Sequence, residues 1–192
     1  MKHIFIILIF GIVADLSAYA QTQNPDTKSL TKEERKAMRK AQKEEEKRKL
    51  AATLSEYKVF AENKTWVIEA HTVFEKGGLS FSMNPTINFV SVVGDEATIQ
   101  LSFEGIAGWN GVGGITLEGN IQKYQVQESK NALTISMTAM GPGLGPVDLL
   151  ATISPGGNGR VTISGNWGER ITFAGQFVDY SESTIYKGTP TY

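Results

Sequence analysis

Ala97-Thr98-Ile99-Gln100-Leu101-Ser102-Phe103-Glu104 decides the fold class, because apolar and polar side chains alternate through it without a break. A period of two places every second side chain on one face, the signature of a strand with one buried side. Leu133 to Ala139 repeats the pattern, as do Val161 to Ser164 and Ile171 to Phe173. Thr65 to Phe74, Thr86 to Val93, Ile115 to Gln127, Val147 to Ile153 and Ser183 to Tyr186 complete a set of about nine strands by the usual strand and turn signals.

The joints between these runs are short. Gly94-Asp95 suits a two-residue hairpin, and Pro155-Gly156-Gly157-Asn158-Gly159 a longer turn. Between Ile115 and Gln127 the apolar positions are first odd and then even, so a bulge is expected near Lys123. Short antiparallel strands joined in sequence must close or stack, because open edges invite aggregation. Glycines in or beside strands, at Gly105, Gly119 and Gly175, favour bending. The expectation is an all-β main domain, a meander closing into a lipocalin-like barrel, with a β-sandwich as the alternative.

Outward from this body the composition changes near Asn63. Residues 26–62 carry eleven Lys/Arg and eight Asp/Glu and no glycine, whereas residues 63–192 carry seven and eleven, with nineteen glycines. Thr31-Lys32-Glu33-Glu34 matches a capping box, and strong helix formers follow it. Glu44/Arg48 and Glu45/Lys49 are spaced for ion pairs. Leu50, Leu54, Tyr57 and Ala61 share one face, so the end of this charged helix is expected to dock on the body. Acids interleave with the bases, which argues against nucleic acid as a partner.

Residues 1–20 read as a cleavable signal peptide: Lys2 and His3, the apolar run Ile4 to Val13, then Ala18-Tyr19-Ala20 as the cleavage pattern. The run is too short to span a bilayer. The expected organisation is residues 1–20 as leader, 21–62 as polar segment and helix, and 63–192 as barrel, in a soluble periplasmic or secreted protein cut after Ala20. No transmembrane segment is expected after cleavage. With no cysteine, disulfides, thiol nucleophiles and Cys-based metal sites are excluded.

Asn88 to Asp95, Ile99-Gln100, the glycine-rich Gly108-Trp109-Asn110-Gly111-Val112-Gly113-Gly114-Ile115-Thr116-Leu117-Glu118-Gly119 and the closing Ile185-Tyr186-Lys187-Gly188 resemble domain-of-unknown-function family 4251, short exported proteins of the Bacteroidota. The resemblance implies export from a Gram-negative cell and a compact β-fold, and brings no activity or catalytic residues.

The chemistry is sparse. The glycine motif lacks the lysine and helix start of a phosphate loop and the spacing of a dinucleotide fingerprint. Trp109 is expected to plug the barrel end, with a ligand platform as the alternative. His71, placed on one face with Val67, Glu69 and Val73, reads as a structural histidine, for no triad partner is evident. Glu69, Glu104, Glu118 and Asp148 could supply a hydrolytic carboxylate pair if two of them converge. The expectation is a non-catalytic module without metal or cofactor, holding a small apolar ligand or a cell-envelope partner, with Trp109, Asn110, Glu118 and His71 as candidate contacts. A glycan hydrolase and a small outer-membrane barrel are the alternatives.

Overall fold

The computed structural model describes residues 31–103, 105, 108–165 and 170–191. The expected signal peptide and Glu104 fall outside them. The chain divides into two units, residues 1–41 and 42–192.

In the first unit Thr31 and Glu34 form the expected capping box. The Glu34 amide donates to Thr31 Oγ1 at 3.3 Å, and the Thr31 amide donates to the Glu34 carboxylate at 2.8 Å. Two orphan donors at the start of helix α1 (Lys32–Glu62) are thereby satisfied. Further along α1, Glu45 pairs with Lys49 as expected, but Glu44 takes Lys47 at 3.0 Å rather than Arg48.

Nine strands follow among the described residues: β1 (Thr65–Glu75), β2 (Ser80–Ser82), β3 (Phe89–Val93), β4 (Glu96–Ser102), β5 (Gly114–Ser129), β6 (Ala132–Gly141), β7 (Gly145–Ile153), β8 (Asn158–Gly165) and β9 (Arg170–Asp179). Each neighbour from β3 to β9 is antiparallel, and β1 pairs with both β3 and β9. That pairing closes eight strands into a barrel and rules out the sandwich. The short β2 extends the wall beside the far half of β1, where β3 has already ended.

The inward rows are those the alternation marks. Ala97 and Ile99 of β4, Leu133 to Ala139 of β6, Val147 to Ile153 of β7, Val161 and Ile163 of β8 and Phe173 of β9 alternate into one buried cluster. Eight strands enclose a space that side chains can fill, and these residues form one contiguous cluster inside it. The parity slip near Lys123 is a bulge, with the register to β6 shifting between Ile121 and Lys123.

Two readings fail for local reasons. Ser183 to Tyr186 is not a strand: after a short 3-10 turn (Tyr180–Glu182) the chain runs irregularly along the outer wall. His71 does not share a face with Val73. The register between β1 and β9 shifts between Ala70 and Thr72, so His71 is the extra residue of a bulge. It is exposed, with Nδ1 2.9 Å from Thr72 Oγ1, while Val73 joins Trp66, Ile68 and Ala70 in the core.

Candidate functional site

The two ends of the barrel differ. At one end the last turns of α1 form a lid. Leu54 and Ala61 are buried, and the Tyr57 ring meets Phe177 edge-on at 5.5 Å. Leu50, expected on the docking face, is exposed, so docking starts one turn later. The Tyr124 hydroxyl donates to the Ala61 carbonyl at 2.6 Å, and Lys58 reaches Glu128 of β5 at 3.2 Å. Burial pushes the Tyr124 phenol up to about 12. Lys64, in the left-handed region with φ 54°, makes the tight corner from α1 into β1.

The opposite end carries the 76–79, 108–113 and 142–144 connections; Ala139, Leu144, Val147 and Phe173 stay buried on one side of it, and burial fades on the side formed by β2, β4 and the start of β5. Core residues nearest the lid, such as Trp66, Val90, Leu133 and Val161, are fully buried, but Val73, Ile99 and Ile163 retain 4%, 6% and 4% exposure. One step further out, Phe81 is 44% and Ile115 41% exposed. Both nevertheless face inward: Phe81 stands opposite Val73 and Ile115 opposite Leu101, and directly opposed residues in an antiparallel pair share a face. Leu79 and Phe103 add exposed apolar surface at the same rim. Beside Phe103 a cleft of about 350 Å³ opens towards Ser82, Met83 and Asn84, where the short β2 leaves the wall unpaired. This side of the end is thus an apolar mouth, assembled from inward positions that no other described residue covers.

The glycine-rich motif lies at this rim, but its residues have unexpected roles. Trp109 does not plug the barrel; it is 87% exposed, the largest exposure of any large apolar side chain among the described residues. Asn110, next to it, is buried. Its Oδ1 accepts from the amides of Val112 and Gly114 at 3.1 and 2.9 Å, and its Nδ2 donates to Thr116 Oγ1 at 3.1 Å. Asn110 therefore shapes the loop and has no hydrogen-bonding group left for a ligand. Gly111 and Gly113 take positive φ values of 78° and 89°, which ordinary side chains resist.

A layer of buried polar groups lies on the outer wall of β4 and β5, which alternation alone would place in water. The segment 183–191 covers it like a strap. Gln100 Nε2 donates to the carbonyls of Ile87 and Tyr186 at 3.0 and 2.8 Å, and its Oε1 accepts from the Gly188 amide at 2.7 Å and Thr116 Oγ1 at 2.8 Å. The Thr189 amide donates to the Asn110 carbonyl at 2.9 Å, joining the strap to the Trp109 loop. Gly188 passes so close that a Cβ there would meet the Asn110 carbonyl at 2.6 Å. Every buried polar side chain among the described residues finds a partner.

Among the described residues, the candidate carboxylates Glu69, Glu118 and Asp148 do not converge on one another as a catalytic pair would. Glu118 pairs with Lys187 of the strap, which also reaches Glu96 at 3.1 Å. Burial alone would lower the Lys187 ammonium, but the hydrogen bonds and charges of Glu118 and Glu96 outweigh it and raise its pKa. Glu69 accepts from Ser183 Oγ at 2.7 Å and the Thr184 amide at 3.0 Å. Asp148 accepts from Thr138 at 2.8 Å, and the residue of β5 in its register row is Lys123, five positions from Glu118. The structure thus brings Asn110 and Glu118 to the strap, leaves Trp109 at the rim and sets His71 on the outside of β1. The mouth residues Phe81 and Ile115 were missed, although the continuing odd row of β5 marks Ile115 as inward.

No helix among the described residues is long and apolar enough to cross a membrane. No curated protein matches the chain. Among solved structures it is similar to a DUF4251 family protein from Bacteroides eggerthii DSM 20697, with 25% identity, a TM-score of 0.57, and coverage of 70% of this chain and 93% of that one. The model for a domain of unknown function, DUF4251, matches residues 45–177. The match takes in the docking end of α1 and all nine strands but for the last two residues of β9, and the chain belongs to the DUF4251 family.

Proposed function

We infer that this protein is an exported, non-catalytic barrel that receives a small apolar ligand at its open end. The observation that carries the reading is the exposure of the inward-facing Phe81 and Ile115 at the mouth, against inward positions that are fully buried at the helix lid. Apolar side chains held inward yet left in water forgo stabilisation of about 25 cal/mol per Å² of exposed surface, which an apolar ligand would recover. Barrel mouths are habitual places for such ligands.

Export rests on the leader pattern of residues 1–20, with cleavage after Ala20 and release into the periplasm or beyond. The domain plan of leader, charged segment and barrel belongs to the same proposal. The outer-membrane alternative is disfavoured by outward rows that carry Thr134, Thr152, Arg160 and Thr162 where lipid would require apolar groups. The hydrolase alternative loses support because Glu69, Glu118 and Asp148 are each engaged elsewhere.

Native mass spectrometry of protein recovered from its own host is the test. A bound small molecule that partitions into organic solvent is expected, and Ile115→Glu should weaken its retention about tenfold by placing a charge in an apolar mouth. Repeated recovery of empty protein, or equal retention by Ile115→Glu, would sink the reading.

A further inference from the structure

A single register row crosses five strands on the outer wall of the barrel. Lys123 of β5 stands opposite Thr138 of β6, Thr138 opposite Asp148 of β7, Asp148 opposite Ser164 of β8, and Ser164 opposite Arg170 of β9. The flanking Met137, Leu149 and Ile163 point into the core, so by alternation this row points outward. Beside it runs a second row of Gln125, Ser136, Leu150 and Thr162. Together the two rows line a groove of about 690 Å³.

The charges in the groove are ordered. Lys123 and Arg170 stand at its two ends, and neither is ion-paired among the described residues. Four strand spacings of about 4.8 Å separate their backbones by roughly 19 Å. Asp148 lies midway, with one lone pair committed to Thr138 and others free for neutral donors. Between these points the surface offers hydroxyls, one amide and the exposed Leu150 side chain.

That pattern selects its occupant. All five strands are paired across the groove, so no backbone edge is free to take up a peptide as an added strand. Among the described residues lining the groove, Leu150 is the one exposed large apolar side chain, too little to anchor a peptide by its side chains. A sugar chain fits better: ring hydroxyls can bond to Ser136, Thr138, Thr162, Ser164, Gln125 and Asp148, and the C–H face of one ring can rest on Leu150. The end cations call for negative groups about a groove's length apart, and the central carboxylate calls for a neutral, hydroxylated middle. We propose that this groove binds an acidic oligosaccharide, with its anionic groups at Lys123 and Arg170. The site is separate from the mouth and does not depend on the apolar-ligand reading.

Calorimetric titration of the protein with the hyaluronan trisaccharide that has glucuronate at both ends and N-acetylglucosamine between them, with neutral chitotriose and with hexaglutamate tests the assignment. The hyaluronan trisaccharide should bind, and more weakly as salt rises, because exposed charges are screened over about 8 Å at physiological ionic strength. Chitotriose and hexaglutamate should each bind about tenfold or more weakly, and Lys123→Gln with Arg170→Gln should lower the affinity for the hyaluronan trisaccharide at least about tenfold while melting is unchanged. Should that double variant melt lower, Leu150→Asp is the second variant, and it should lose binding as well. Absence of binding of the hyaluronan trisaccharide, affinity indifferent to salt or to these substitutions, or hexaglutamate binding equally well would overturn the proposal.

Discussion

The Trp66 indole donates a hydrogen bond to the Tyr124 hydroxyl at 2.9 Å, and this hydroxyl in turn donates one to the Ala61 carbonyl at 2.6 Å. Three elements, β1, β5 and the end of α1, are thereby tied at one phenolic oxygen. Tyr124→Phe keeps the ring and removes the oxygen, leaving an indole N–H and a helix-terminal carbonyl without their partner. The expected loss is about 1–3 kcal/mol, read from the midpoint of urea unfolding.

The same phenol sets an alkaline limit. Its folded pKa, pushed up to about 12 by burial, exceeds the ordinary value of 10.0, so the neutral form is favoured by folding. The contribution is fully present below pH 10 and is lost as pH rises through 12. Unfolding measured across that window should show a stability decline that Tyr124→Phe lessens. An unchanged slope in the variant would place the decline elsewhere. Lys187 acts in the same direction: its raised pKa gives a contribution that is intact below about 10.5 and lost above it, and Lys187→Met should remove that part.

The charged start of α1 and its docking end should separate on truncation. A chain beginning at Gln42 keeps Leu54, Tyr57 and Ala61, so its melting temperature should match that of the chain from Gln21. One beginning at Asn63 uncovers Phe177 and removes the Ala61 carbonyl, and it should melt well below both. Equal melting of all three would mean that the lid contributes nothing to stability.

The strap makes a prediction that the mouth does not. Gln100 uses both ends of its amide to hold Ile87, Tyr186, Gly188 and Thr116. Gln100→Leu fits a strand but leaves those groups unpaired beneath the strap. A loss of about 3 kcal/mol is expected, with earlier protease cleavage after Ser183 as the local sign.

Alternation made most of the barrel legible, because β4, β6, β7 and β8 each bury one face against the core and leave the other polar. It failed where that premise fails. In β1 the consecutive Trp66, Val67 and Ile68 are all buried, so no parity remained to reveal the bulge at His71. The three residues of β2 are too few to show a period, and the strap is held by bonds to side chains, which leave no pattern in its own sequence. At the site, residue type misled: tryptophan and asparagine commonly mark the inside and the surface, and here the loop reverses them.

That reversal can be measured at adjacent positions. Trp109 touches so little that Trp109→Ala should leave stability within about 0.5 kcal/mol of the parent. Asn110→Ala removes the acceptor for two backbone amides and the donor to Thr116, so about 2 kcal/mol should be lost despite the smaller side chain. Urea unfolding of the two variants side by side decides it. A costly Trp109→Ala with a silent Asn110→Ala would mean that the indole, not the amide, organises the loop, and Trp109 would then return to the role of a plug. The expected order instead leaves a rigid, nearly bare indole on a loop fastened to the strap, at the rim through which an apolar ligand would enter.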